Sequence, residues 1–122
     1  MNGPTMYIPI STATLQIAAR HLCRQGVRFT DTPTEAEYLL YPAPTELGML
    51  GECTMDQTII GGNLDFLNET APRLDLLKDP YYLAANAAIT ADCVLRIAAR
   101  ELKTTFRDTP TLVIGWGRIG KC

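Results

Sequence analysis

The residues of this chain with the most specific chemical spacing are its last glycines. Thr111-Leu112-Val113-Ile114 is an apolar run that enters Gly115-Trp116-Gly117-Arg118-Ile119-Gly120, a G-x-G-x-x-G pattern. Between a strand and a helix, each glycine has a task. Gly115 makes the tight turn, Gly117 lets backbone approach a pyrophosphate, and Gly120 lets the next helix pack closely. Backbone N–H groups at the helix start then hold the phosphates. Gly115, Gly117, Arg118, Ile119 and Gly120 are therefore candidate dinucleotide contacts, against the plainer reading of a glycine-rich turn. The helix after the loop, and the acidic residue about 20 positions on that reads the ribose, would lie past Cys122. NAD and NADP are not distinguished, and the chain reads as cut just inside such a unit.

Other reactive side chains are sparse. His21 is the single histidine, between Arg20 and Leu22, and reads as a surface residue. Cys23, Cys53, Cys93 and Cys122 stand 30, 40 and 29 residues apart. Such spacing gives neither a disulfide framework nor a zinc site, so they read as free thiols, with Cys93 in the core. Nucleophilic dyads and metal centres have no support.

Six polar positions could meet a ligand: Ser11, Thr12, Gly62, Asn63, Asn86 and Thr90. Ser11 and Thr12 serve equally as helix caps, and Gly61-Gly62-Asn63 as a turn. Asn86 and Thr90 lie one turn apart on a helix and either face a cleft or bond internally. Asp92 is placed to pair with Arg96.

The elements that would position these residues alternate between strand and helix patterns, an α/β arrangement. Strands are expected at residues 7–10, 27–30, 37–41, 57–60, 73–77 and 111–114. Pro9 is awkward inside the first of these, because proline cannot donate to a ladder. Leu15, Ala18, Ala19, Leu22 and Cys23 share one face of a helix that Gly26 ends. Residues 45–56 read as a loop with one helical turn, and 64–68 as a short helix. Asp79-Pro80 opens a helix predicted to reach Lys103, roughly 35 Å long. Its many alanines and its stripe of Leu83, Ala87, Ala91, Val94, Ala98 and Leu102, widened by Ile89, Cys93 and Ile97, call for neighbours on more than one side.

Composition sets the outer bounds. The chain has 122 residues, 47% hydrophobic and 20% charged, with a formal net charge of -2. This is the balance of a globular domain, and it attracts neither nucleic acid nor an anionic membrane. The first residues lack the basic and apolar regions of a signal peptide. The longest weakly charged stretch, Tyr81–Leu95, carries Asp92 and is too short to span a bilayer. A cytoplasmic protein is expected.

The stretch Asp79-Pro80-Tyr81-Tyr82-Leu83-Ala84-Ala85-Asn86-Ala87-Ala88-Ile89-Thr90-Ala91-Asp92, followed by Leu112 to Gly120, resembles the A subunit of dipicolinate synthase. The match covers about residues 57–122. The resemblance implies a flavodoxin/Rossmann-like, mostly parallel open sheet with helices on both faces. A long connecting helix and the truncated start of a second Rossmann domain would follow. On that plan residues 1–78 form a substrate lobe, 79–108 the connecting helix and turn, and 109–122 the entry to the NAD(P)-binding domain. The first strand departs from the family, with Ile8-Pro9-Ile10-Ser11-Thr12 where a glycine-rich end is usual, and Asp92 stands where Glu is common. The implied activity is NAD(P)-dependent formation of dipicolinate during sporulation. The implied partners are a small dicarboxylate substrate, a flavoprotein B subunit and a second copy in a homodimer. The parent protein would be the enzyme, and this stretch alone inactive and without tightly bound cofactor. A non-catalytic interaction module and the substrate lobe of a D-2-hydroxyacid dehydrogenase-like enzyme are the alternatives.

Overall fold

The computed structural model describes residues 3–51 and 53–122. Met1 and Asn2, where the leader reading begins, lie outside them. The chain divides into two units, one ending at Asp79 and the other running from Pro80 to Cys122.

The first unit is a five-stranded sheet, all parallel: β1 (Thr5–Tyr7), β2 (Arg28–Phe29), β3 (Tyr38–Leu40), β4 (Thr58–Gly61) and β5 (Arg73–Asp75). Their order is β2-β1-β3-β4-β5, the doubly wound arrangement of a Rossmann-like α/β fold. The strands are shorter than their apolar runs, and β1 sits earlier than expected. Pro9 therefore falls beyond the last paired residue, Tyr7, and costs the ladder nothing.

Register sorts the side chains onto two faces. Tyr7, Leu39 and Ile59 are aligned across β1, β3 and β4. With Tyr41 and Leu64 they make one cluster, against which Met49, Leu50 and Leu67 pack. Met6, Leu40 and Ile60 point the other way, where Leu15 and Leu22 of α1 (Ala13–Arg24) meet them. Burying each Leu or Ile here contributes about 1.5–3 kcal/mol.

Helix α1 follows its sequence signals. Thr12 has extended backbone, and its Oγ1 accepts the N–H of Leu15 at 3.2 Å. Gly26, with φ of 90°, ends the turn. The other face of the sheet has no α-helix of the first unit among the described residues. It is covered instead by the β3–β4 connection, which holds one 3-10 turn at Leu47–Met49, and by Leu64 and Leu67. Residues 64–68 form a turn closed by Leu67 N–H to the Leu64 carbonyl at 3.1 Å, not the expected short helix. Five residues between turn signals are too few to nucleate one.

The second unit is dominated by α2 (Pro80–Glu101), 22 residues long. Only Ala87 in it is fully buried, and Tyr82, Leu83, Thr90, Ala91 and Ala98 are partly so. Ile89, Val94, Leu95 and Ile97 are exposed, so the neighbours expected on several sides are absent among the described residues. Cys93 is exposed as well, not core. It lies about 120° around the helix from Ala87. By length and composition α2 is also long enough and apolar enough to cross a membrane. The stretch judged too short thus belongs to a longer helix. Residues 111–114 form no strand, since no neighbouring chain supplies a ladder within this unit.

Candidate functional site

In a sheet of this order the chain leaves β1 and β3 in opposite directions, which opens a crevice at their carboxyl ends. Here the exit of β1 leads through Ile8–Thr12 into α1 on one face. The exit of β3 leads through Tyr41 and Pro42 to Met49 and Leu50 on the other.

A cavity of about 780 Å³ reaches this crevice. Tyr7, Leu39 and Tyr41 form its sheet side, Pro9 its edge at the crevice, and Met49 and Leu50 part of its outer wall. Gly51, Cys53, Thr54 and Gln57 also line it. It is mainly apolar, with a few hydroxyl, thiol and amide groups, and no charged side chain lines it among the described residues. Such a space suits a mainly apolar, drug-sized ligand with a few hydrogen-bonding atoms.

Its polar groups are held by the backbone around them. Gln57 is buried, with Nε2 donating to the carbonyls of Pro33 (2.6 Å) and Ala36 (2.9 Å), while Oε1 accepts from Thr54 N–H at 2.9 Å. Its amide is fully occupied as a brace for the cavity wall. Tyr41 is 1% exposed, and its hydroxyl accepts the N–H of Gly51 at 3.3 Å. Burial pushes its phenol above the usual value, and the Gly51 bond only partly offsets that. Tyr41 therefore stays protonated with its O–H available as a donor.

A second group of residues joins the ends of β3, β4 and β5. Thr45 is fully buried; its Oγ1 donates to the Pro42 carbonyl (2.7 Å) and accepts from Gly62 N–H (3.1 Å). Thr45 N–H returns a bond to the Gly62 carbonyl at 2.7 Å. A side chain on Gly62 would meet Leu77 Cγ at 2.8 Å and Ala43 Cβ at 2.9 Å, so glycine is required there. Asp75 then accepts three backbone N–H groups: Asn63 (3.1 Å), Leu64 (2.9 Å) and Leu77 (3.0 Å). Burial alone would raise its carboxyl, but these bonds, with Lys78 nearby, outweigh it and hold the group below the usual carboxylate range.

The six polar positions predicted from sequence are thus placed as follows. Thr12 caps α1, and Ser11 Oγ accepts from Gln16 Nε2 at 3.0 Å. Gly62 and Asn63 direct their N–H groups at Thr45 Oγ1 and at the Asp75 carboxylate, so both are used inside the chain. Asn63 has a φ of 62° and completes a tight turn. Asn86 and Thr90 belong to the second unit, where Thr90 Oγ1 donates to the Asn86 carbonyl at 2.8 Å. Ser11 and Thr12 sit at the β1 exit, and Gly62 and Asn63 at the β4 exit. Tyr41, Gln57 and Asp75 went unnoticed in the sequence. Tyr41 carried a weak signal, the period-two alternation with Leu39.

In the second unit the terminal glycines meet part of the demand of a phosphate loop. Gly115 has a φ of 98°, and a Cβ on Gly120 would run into the Gly115 carbonyl. The flanking strand and helix of such a loop are not formed among the described residues, where these positions make a turn. Among the described residues no three His, Cys, Asp or Glu side chains are grouped to hold a metal ion.

No family model, curated protein or solved structure matches this chain closely enough to establish a relationship.

Proposed function

We propose that this chain is the substrate lobe of a cytoplasmic NAD(P)-dependent oxidoreductase similar to the A subunit of dipicolinate synthase, working on a small ring-bearing dicarboxylate. The observation that carries the reading is the cavity on the sheet face beneath the β3–β4 connection, whose Pro9 edge reaches the β1/β3 crevice where open α/β sheets of this order take their ligands. Its apolar lining suits the faces of a six-membered ring. The Tyr41 O–H is a donor for a ring nitrogen or carboxylate. Carboxylates need more than this lining gives; the α1 N-terminus beside Ser11 and Thr12 lies outside the lining, and a carboxylate would have to reach it past Pro9 at the β1 exit. The first turn of α1 has no acidic side chain to neutralise its positive end.

The C-terminal glycines support a dinucleotide partner in the same protein. A bound nicotinamide dinucleotide supplies the hydride acceptor. The residues of this chain would hold and orient the substrate, and a flavoprotein B subunit is the further partner. By itself the chain is expected to bind dinucleotide weakly, since the strand and helix of its cradle are not formed among the described residues.

Titration of the protein with dipicolinate, followed by amide NMR, tests the reading. Shifts confined to Ser11–Leu15, Tyr41 and Gly51 are expected, with Tyr41→Phe weakening binding. Parallel titration with 2-hydroxy acids separates the D-2-hydroxyacid dehydrogenase-like alternative. Absence of dipicolinate shifts in the first unit, or tight NAD binding by this chain, would overturn the proposal.

A further inference from the structure

The sheet side of the cavity carries two phenols, those of Tyr7 and Tyr41. Tyr7 ends β1 and is aligned with Leu39 of β3, two residues before Tyr41. The ladder continues through Tyr41, whose N–H donates to the Ile60 carbonyl at 2.8 Å. Side chains two apart share a face, so the two phenols leave the sheet on the same side as diagonal neighbours. Their Cα atoms are about 8 Å apart by strand spacing, within reach of two aromatic side chains. The Tyr41 phenol is raised mainly by burial, and Cys53 and Tyr7 add to that, as groups close to it do.

Both hydroxyl protons are unused within the chain. Tyr41 Oη accepts the N–H of Gly51 at 3.3 Å, which occupies the oxygen and leaves the proton directed elsewhere. Tyr7 is half-buried, and its hydroxyl has no partner among the described residues. The Gln57 amide in the same lining is fully occupied. The sheet side therefore offers two O–H donors and no charged group.

We infer that Tyr7 and Tyr41 act as a pair of O–H donors that holds one ring carboxylate of the ligand against the sheet. The inference rests on the reading of this cavity as the ligand site and names the group it grips. A carboxylate has two oxygens and accepts from two donors at once. Bonds from a neutral donor to an ionised oxygen are shorter and stronger than neutral ones. The N–H of Gly51 polarises the Tyr41 hydroxyl and makes its proton the better donor. A second carboxylate finds no such pair in the lining and stays toward water or the β1 exit. An ammonium group in place of the carboxylate would meet two O–H groups and no acid to receive it, so the pair discriminates by charge sign with no charged residue of its own.

The test uses the whole chain and four probes of one shape: dipicolinate, picolinate, lutidine and the bis(aminomethyl)pyridine of the same substitution. Both carboxylates are expected to bind about tenfold or more tightly than lutidine and the diamine. Tyr7→Phe removes one oxygen and keeps the ring. It is expected to weaken dipicolinate and picolinate about tenfold, leave lutidine unchanged, and leave the urea midpoint where it was. Because both phenols serve one group, Tyr7→Phe with Tyr41→Phe should lose less than the product of the two single losses. The probe series on the unaltered protein decides the point even where a variant fails to fold. Tight binding of the diamine, or losses that multiply, overturns the inference. So does full carboxylate affinity in Tyr7→Phe while the Tyr41 and Gly51 amides still shift on titration, a result that leaves the cavity reading in place. Absence of shifts anywhere in the first unit overturns both.

Discussion

At the scale of single residues, Asp75 fills the place that the sequence pattern assigned to a ligand. The glycine-asparagine turn after β4 points backbone N–H groups at an anion, and that anion is the chain's own carboxylate. Three such bonds favour the ionised form, so Asp75 releases its proton at lower pH in the folded protein than in the unfolded one. The sign follows directly: a depressed folded pKa adds stability above the unfolded value, about 3.9, and that stability is lost as pH falls through the lower folded value. Asp75→Ala is expected to lose about 1–2 kcal/mol at pH 7, the lower part of the range for charged hydrogen bonds because the carboxyl is partly in water. Urea melts of both proteins should converge as pH falls from about 4 toward 2. A gap between them that persists at the lowest pH would mean that Asp75 acts through packing and not through charge.

At the scale of elements, the parts set by local signals were the most legible. Thr12 as N-cap and Gly26 as terminator both act within one turn of the helix they bound, so α1 could be placed to within a residue or two. Thr12→Ala should therefore cost about 1 kcal/mol, read as a lower urea midpoint at unchanged slope. Of the six strands expected from apolar runs between turn signals, five formed, in one parallel sheet. What the sequence hid depended on distant partners. The run at residues 111–114 has the composition of a strand, but a strand exists only beside another. Cys93 sits in an apolar stretch, yet which side of α2 is covered is decided by tertiary packing, not by local composition. Gln57 looked like the start of β4; its role as a brace requires the carbonyls of Pro33 and Ala36, more than twenty residues away. The candidate cavity was missed for the same reason, because its walls come from β1, β3 and the β3–β4 connection together.

At the scale of the whole molecule, order is unevenly shared between the two units. Among the described residues, all five strands and both clusters of buried apolar side chains are in the first. The second has one long helix with a single fully buried residue and an exposed C-terminal stretch. Local stability follows buried contacts, so amide hydrogen exchange is expected to be slowest in β3 and β4 and fast from Leu102 onward. Helix α2 is the informative case. Its backbone bonds alone give modest protection, because an isolated helix of this length is only marginally stable in water. Exchange at residues 86–100 is therefore expected to lie between the two extremes, faster than in β3 and β4 and slower than from Leu102 onward. Protection of α2 equal to that of β3 and β4 would mean that contacts as extensive as those of the sheet hold this helix, against its single fully buried residue.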